Sequence, residues 1–319
     1  MDVPEWETMK AICLNEKAGP EALTAGEVPR PLPQNGEVLV KVYATAVMPA
    51  EFHWYPTFSQ HSGKPRSFPV VLSHEFSGAV ESVGPGVNGF QPGEKIYGLN
   101  DWFSNGAQAE YCVVAATAAA RKPQSLDDVH AAVVPISALT AWQGLFEKAK
   151  LEPGQRILIH GGAGGVGSFA VQLARWRGAR VIATASTANV DFVRSLGADE
   201  VIDYRTTRFE KVVRDVDVVF DAVGGDTLER SWAVLNPDGK LVTVATQSAV
   251  AAEQRARDAF ILVRADGPQL AQIATMIDAG ELRVFVAEVF RLDQAREAYS
   301  RAQEGGMRGK IALRVTEEI

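Results

Sequence analysis

Arg156-Ile-Leu-Ile-His-Gly-Gly-Ala-Gly-Gly-Val-Gly167 is a short apolar run that ends in a glycine-rich turn. An apolar run of this length bounded by a turn signal reads as a buried strand. Gly162, Gly164 and Gly167 form a G-x-G-x-x-G, a spacing in which one glycine permits the tight turn, one lets the backbone approach a pyrophosphate, and one allows close helix–strand packing. From Gly165 to Arg177, the residues Val166, Phe169, Ala170, Leu173 and Ala174 recur at helical spacing and predict a helix with one apolar stripe. An anion at its N-terminus would meet unpaired N–H groups and the favourable end of the helix dipole. Such a turn can also exist without a ligand, so its neighbours decide. Downstream runs begin at Arg180, Glu200, Val216, Lys240 and Phe260 (Phe260-Ile-Leu-Val263), so that six strands are available with the first. Helical candidates lie between them at Val190–Leu196, Thr227–Leu235 and Gln269–Ala279, which is the alternation of a parallel sheet with crossover helices. The combined pattern predicts a dinucleotide-binding α/β unit.

Outside this unit the grammar differs. Residues 1 to about 130 carry short strand-like runs, such as Glu37–Tyr43 and Gly78–Gly84, punctuated by Pro and Gly. Val284–Val315 returns to short strands around one helix, Leu292–Ala302, and is expected to complete the β-rich part. A length of 319 residues suits two domains. The net charge of −7 and the lack of a basic run argue against nucleic acid and anionic membranes. The most apolar stretch, Ala131–Leu145, is broken by polar residues and falls short of a bilayer span. Cys13 and Cys112 are too few and too far apart for a disulfide framework or a four-cysteine zinc lobe. The acidic N-terminus lacks the features of a signal peptide, and a reducing cytoplasmic setting is expected.

The end of the second strand bears on the choice between NAD and NADP. An NAD site usually places Asp or Glu about 20 residues beyond the fingerprint. Here Ala185, Ser186 and Thr187 stand there, and the first acid is Asp191. Ser186 and Thr187 can donate hydroxyl hydrogen bonds, and Tyr204 and Arg205 follow the neighbouring strand. NADPH is therefore the expected cofactor, unless Arg205 is merely a solvated charge.

Phe68-Pro-Val-Val-Leu-Ser-His-Glu-Phe-Ser-Gly78, Val83-Gly-Pro-Gly-Val87, Ala138-Leu-Thr-Ala-Trp-Gln-Gly144 and Ala163–Gly167 occur in order, followed by Leu196-Gly-Ala-Asp199, Asp221-Ala-Val-Gly224 and Gly309-Lys-Ile-Ala-Leu-Arg314. The ordered series resembles the medium-chain dehydrogenase/reductase superfamily, and within it the zinc-independent quinone oxidoreductases. The resemblance implies an α/β fold in which a Rossmann NADP-binding domain (133–283) is inserted in a β-rich GroES-like catalytic domain (1–132 plus 284–319). It places Thr140 beside the nicotinamide, Gly164, Gly165 and Val166 at the pyrophosphate, and Ser186 and Tyr204 near the 2′-phosphate. Val223, Ala245 and Leu262 would surround the nicotinamide, and Asn189 stands where many NADP-using relatives have Lys. Relatives are usually homodimers.

His74-Glu75 resembles the G-H-E-x-x-G of zinc alcohol dehydrogenases, but Met48 takes the place of their first cysteine and Ser73 that of the glycine. A catalytic zinc needs three protein ligands, so no metal site is expected and His74 reads as a structural histidine, with His53 the one imidazole that could approach it. The resemblance implies hydride transfer from NADPH to a quinone or an α,β-unsaturated carbonyl without a metal. An acceptor oxygen that gains negative charge needs a proton or hydrogen-bond donor. Met48–Tyr55 aligns with the substrate-facing loop, and Tyr55 and His53 are the candidate donors, or, with Trp54, only the walls of an aromatic pocket; Glu51 could orient water or pair with a base. Alternatives are an alcohol dehydrogenase-type carbonyl reductase and a non-catalytic NADPH-binding sensor or interaction protein.

Overall fold

The computed structural model describes residues 7–316, so Met1–Trp6, on which the signal-peptide reading rests, lies outside the described residues. Five strands lie parallel in the order Glu200–Asp203, Arg180–Ala185, Arg156–His160, Val216–Asp221, Leu235–Thr243. The central strand contributes Ile157, Leu158 and Ile159, all fully buried. Both faces of the sheet are covered, so these strands read as continuous apolar runs rather than alternating ones. Helix Gly165–Trp176 packs its Phe169, Ala170, Leu173 and Ala174 stripe into the largest core cluster, with Val166 half-buried at its edge. Helices Val190–Ser195, Asp226–Ser231 and Gly267–Asp278 occupy the other expected positions.

The sixth strand does not form. Phe260–Val263 meets the sheet through a single bridge, Thr243 to Phe260, followed by a hydrogen bond from the Ile261 N–H to the Thr243 carbonyl at 3.0 Å. Beyond that point side chains take the backbone groups. Trp102 Nε1 donates to the Val263 carbonyl at 3.3 Å, and the Gln143 amide pairs with both backbone groups of Arg264 at 2.9 and 3.0 Å. A backbone satisfied this way has no ladder left to extend.

The β-rich part is a seven-stranded sheet running Val286–Arg291, Lys310–Arg314, Glu37–Ala46, Glu75–Val83, Lys95–Leu99, Ala119–Arg121, with Tyr111–Ala115 also on Glu37–Ala46. A smaller sheet joins Leu23–Pro29, Thr8–Leu14 and Val70–Val71. The late strand Lys310–Arg314 pairs antiparallel with Glu37–Ala46, bringing Ala312 opposite Ala46. Helix Ala295–Glu304 buries Ala295, Ala298 and Tyr299 against this sheet. Just before that strand, the Gly309 N–H reaches the Ala163 carbonyl at 2.9 Å, so the returning chain touches the glycine turn. Among the described residues, no helix is long and apolar enough to cross a membrane.

Candidate functional site

The glycine turn is built by one glycine blocked by backbone, one closely packed by a side chain and one with only an ordinary contact. A Cβ on Gly167 would sit 2.0 Å from the Gly161 carbonyl oxygen, and one on Gly162 would sit 3.0 Å from Val193 Cγ1. On Gly164 the same atom would meet only the Gly161 oxygen, at 3.5 Å. Gly164 is the N-cap of helix Gly165–Trp176 and provides no side-chain cap, so the N–H groups of Gly165, Val166 and Gly167 begin a helix with its donors uncapped. This is the cradle that a pyrophosphate fits: bare backbone, unspent donors and a helix dipole.

The corner where the resemblance places the ribose lies at the end of strand Arg180–Ala185. Tyr204 N–H donates to the Ala185 carbonyl at 3.1 Å, which sets Tyr204 beside Ser186; its ring is 55% exposed. The sequence reading put the nearest acid at Asp191, but that side chain points out to Arg194 at 2.6 Å. The acid that reaches the corner is Asp203, from the adjacent strand. It accepts from Thr187 Oγ1 at 2.6 Å and from the Arg205 N–H at 2.9 Å. The Thr187 hydroxyl hydrogen is thus spent inside the protein rather than free for a ligand. Arg205 is exposed, its guanidinium 5.9 Å from the Tyr204 ring. Asn189 is buried, accepting from Arg308 Nε at 2.9 Å, a contact that spans 119 residues of sequence. Beside this corner a cavity of about 480 Å³ is lined by His160, Thr184, Tyr204, Phe209 and Val223. Burial pushes the His160 imidazole down to about 4; its nitrogens face Thr184 Oγ1 at 3.2 Å and Ser231 Oγ at 3.0 Å.

At the other end, Val223, Ala245 and Leu262 follow strand Val216–Asp221, strand Leu235–Thr243 and the Phe260 bridge, and so share the carboxyl edge of the sheet. Val223 and Leu262 are 51% and 45% exposed despite being apolar. Asp221 ties this edge together, accepting from the N–H groups of Val223 and Gly224 at 3.0 Å and from Thr243 Oγ1 at 2.8 Å. Thr140 is buried in helix Pro135–Trp142 and donates its hydroxyl to the Ile136 carbonyl at 2.6 Å, leaving only lone pairs for a ligand.

Two buried carboxylates lie beneath this region, not singled out as a pair by the sequence, and the first of them joins the domains. Glu75 accepts from the Ile136 N–H at 2.8 Å and pairs with Lys310 Nζ. Burial holds its carboxyl above the usual range, with Lys310 opposing. The aliphatic stem of Lys310 also lies next to Gly165, where Cδ would be 3.6 Å from an added Cβ. Glu51 belongs to the segment aligned with a substrate-facing loop, yet it is fully buried and turns inward. It accepts from His74 Nδ1 at 2.6 Å, from the Ser73 N–H at 3.1 Å and from the Tyr299 hydroxyl at 3.2 Å. His74 Nε2 faces the Ser104 carbonyl at 3.3 Å. Nδ1 of His74 is thus held by Glu51, while Nε2 faces an oxygen that it can bond only when it carries a proton. Ser73, standing for glycine, sits at φ +66°, which explains why glycine suits that position. Among the described residues, no group of three or more His, Cys, Asp or Glu side chains could hold a metal ion. The zinc set of metal-using relatives does not fit this chain.

His53 and Tyr55 lie on the turn and short helix spanning Pro49–Phe58, both exposed, with no side-chain hydrogen bond among the described residues. Tyr55 packs edge-on to Phe103 at 6.1 Å, and Trp54 lies 4.3 Å from Trp102, itself 5.1 Å from His74. Tyr55 thus belongs to an aromatic wall with Phe103, beside the Trp54–Trp102 pair.

The family described as "Alcohol dehydrogenase GroES-like domain" matches residues 34–124, and that described as "Zinc-binding dehydrogenase" matches residues 196–313. The mouse "NAD(P)H oxidoreductase RTN4IP1, mitochondrial" is 31% identical, over 88% of this chain and 82% of its own. The tomato (Solanum lycopersicum) "2-methylene-furan-3-one reductase" is 32% identical, over 87% and 71%. The solved quinone oxidoreductase of Coxiella burnetii superimposes with a TM-score of 0.88 at 29% identity, covering 97% of this chain and 100% of that one.

Proposed function

The chain belongs to the medium-chain dehydrogenase/reductase family, in its quinone oxidoreductase-like group, and is an oxidoreductase using a nicotinamide cofactor; from that premise we propose that it transfers hydride from NADPH to a quinone or an α,β-unsaturated carbonyl without a metal. The observation that carries the reading is His74. Its Nδ1 is held by the buried Glu51, and Met48 supplies no thiolate to complete a ligand set around it, so polarisation of the acceptor falls to hydrogen bonds. The names of two relatives, a quinone oxidoreductase and an enone reductase, support the substrate class.

NADPH, when bound, supplies the hydride. The uncapped turn at Gly164–Gly167 holds the pyrophosphate, and Val223, Ala245 and Leu262 offer an apolar edge to the nicotinamide. The half-exposed apolar rims of that edge exclude water once covered, which strengthens every polar contact within. Tyr55 or His53 holds a proton for the acceptor oxygen as charge develops there. A homodimer is part of the proposal, through the outer strand Leu235–Thr243, whose outer edge meets the Phe260 bridge only at Thr243; sedimentation at monomer mass would reject it. So is the cytoplasm, where Cys13 and Cys112, both free and buried, would stay reduced; fractionation of the tagged protein tests this.

The deciding experiment follows NADPH oxidation with a panel of quinones, enones and aldehydes, with and without a chelator. Turnover of quinones or enones that survives the chelator is expected. Turnover confined to simple aldehydes and abolished by the chelator would refute the reading.

A further inference from the structure

Strands Val286–Arg291 and Lys310–Arg314 run parallel and end together, with Arg291 and Arg314 paired in register. Neighbouring strands lie about 4.8 Å apart, and like charges set directly opposite one another repel. The two arginines differ in their partners. Arg291 folds back on Asp293, donating through Nε at 3.0 Å and through Nη2 to the other carboxylate oxygen. Arg314 has no hydrogen-bond or ion-pair partner for its guanidinium among the described residues, and its register neighbour on the other side is Ala44, whose methyl group cannot supply one.

Both arginines border a cavity of about 350 Å³ where the small sheet meets the end of the large one. The opposite wall comes from strand Thr8–Leu14. Lys10 and Ile12 are two residues apart and so share one face of that strand, with Ala25 opposite Ile12. The Lys10 backbone N–H donates to Glu110 at 2.8 Å, but its ammonium has no partner among the described residues. Glu27, the register neighbour of Lys10, engages Thr8 Oγ1 at 2.8 Å. The cavity lining thus carries three cations, Lys10, Arg291 and Arg314, against one carboxylate, Asp293, in a chain whose net charge is −7. Between them the lining is apolar, with Ile12, Ala25 and Leu292 as its main side chains.

We propose that this cavity is a second ligand site, which takes a small amphipathic carboxylate with its head on Arg314 and Lys10 and its apolar body along Ile12, Ala25 and Leu292. An anion held there relieves the repulsion between the paired arginines. The whole fork of Arg314 is unspent and matches the two oxygens of a planar carboxylate. The hydrocarbon body leaves water as it covers the apolar lining, which is favourable in proportion to the area covered. None of the lining residues is among those assigned above to cofactor or acceptor, so the site stands apart from the proposed reaction and does not depend on it.

The test is calorimetric titration of the full chain with octanoate as the probe, and with butyrate, 1-octanol and inorganic phosphate as controls, for wild type, Arg314→Ala and Ala25→Asp. Ala25 is exposed, so the second variant sets a negative charge on the cavity wall without entering the core. Saturable binding of octanoate to wild type is expected, with each control and each variant weaker by about tenfold or more. Melting temperature and NADPH titration, expected to match wild type, confirm that both variants are folded. Phosphate or butyrate binding as tightly as octanoate would show an anion patch only and overturn the proposal. Octanol binding as tightly would show an apolar groove only, with the same result. Octanoate that does not bind, that binds both variants like wild type, or that is displaced by NADPH would also overturn it.

Discussion

Alanine at Gly164 and at Gly167 should separate cofactor binding from folding, because the two glycines are required for different reasons. At Gly167 the added methyl carbon would stand 2.0 Å from the Gly161 carbonyl oxygen, and the obstacle is backbone rather than a movable side chain. Overpacking costs about 1–3 kcal/mol even where side chains can yield, so a cost of about 3 kcal/mol or more is expected here. For a unit of this size that lowers the melting temperature by roughly 6–12 °C. At Gly164 the contact is an ordinary 3.5 Å, and φ of −74° is open to any residue. Losing a glycine N-cap to alanine costs about 0.5–1 kcal/mol, a shift of only a few degrees. Yet that methyl group projects where a pyrophosphate must approach. Displacing it from one or two charge-assisted hydrogen bonds of about 1.5–3 kcal/mol each should weaken NADPH by roughly ten- to a hundredfold or more. Thermal melts and fluorescence titration with NADPH measure both quantities on the same preparations. A Gly164→Ala protein that binds NADPH like wild type, or a Gly167→Ala protein that melts like wild type, would refute the assignment of the turn.

Replacing Tyr55 by Phe should lower turnover about a hundredfold, the low end of what a positioned acid contributes, with NADPH affinity unchanged; unaltered turnover would hand the proton to His53 or to water. His160 should make the protein sensitive to mild acid. Its native value of about 4 lies below its ordinary 6.5, so the unfolded chain binds the proton first, and stability falls as pH drops from about 6.5 towards 4. The span is worth about 3 kcal/mol, and a His160→Asn variant should show a flatter decline in melting temperature between pH 7 and 4.5; parallel profiles would count against the buried neutral imidazole. Glu51→Ala should destabilise by about 3–5 kcal/mol, because His74, the Ser73 N–H and Tyr299 lose one shared buried acceptor. Denaturant unfolding would measure the loss, and a change below 1 kcal/mol would mean that the network is not buried as described.

Much of this was legible in the sequence because the information is local. A run such as Arg156–His160 followed by glycines at fixed spacing specifies strand, turn and helix within a dozen residues, and the stripe from Val166 to Ala174 specifies the packing face. What escaped depends on partners far away in the chain. Phe260–Val263 has the composition of a strand, but Trp102 and Gln143 capture its backbone. Glu51 looks like a loop acid until Tyr299 and His74 surround it. Asp203 reaches the ribose corner only through strand adjacency, and Arg308 through a strand that returns from the opposite end. Spacing rules reach along one element; they do not show which side chain the fold will lay across it.

The late segment from Gly306 to Lys310 has a consequence for how the protein is made. A ribosome delivers the glycine turn well before it delivers Arg308, Gly309 and Lys310, yet these residues lie against Asn189, Ala163 and Gly165. A nascent chain can fold its parallel sheet early and still present an open, half-walled groove. Only when the final strand docks beside Glu37–Ala46 is the groove closed on that side. Full cofactor affinity would then mark a finished chain, and a fragment cut short near residue 305 would be folded in part and nearly blind to its cofactor.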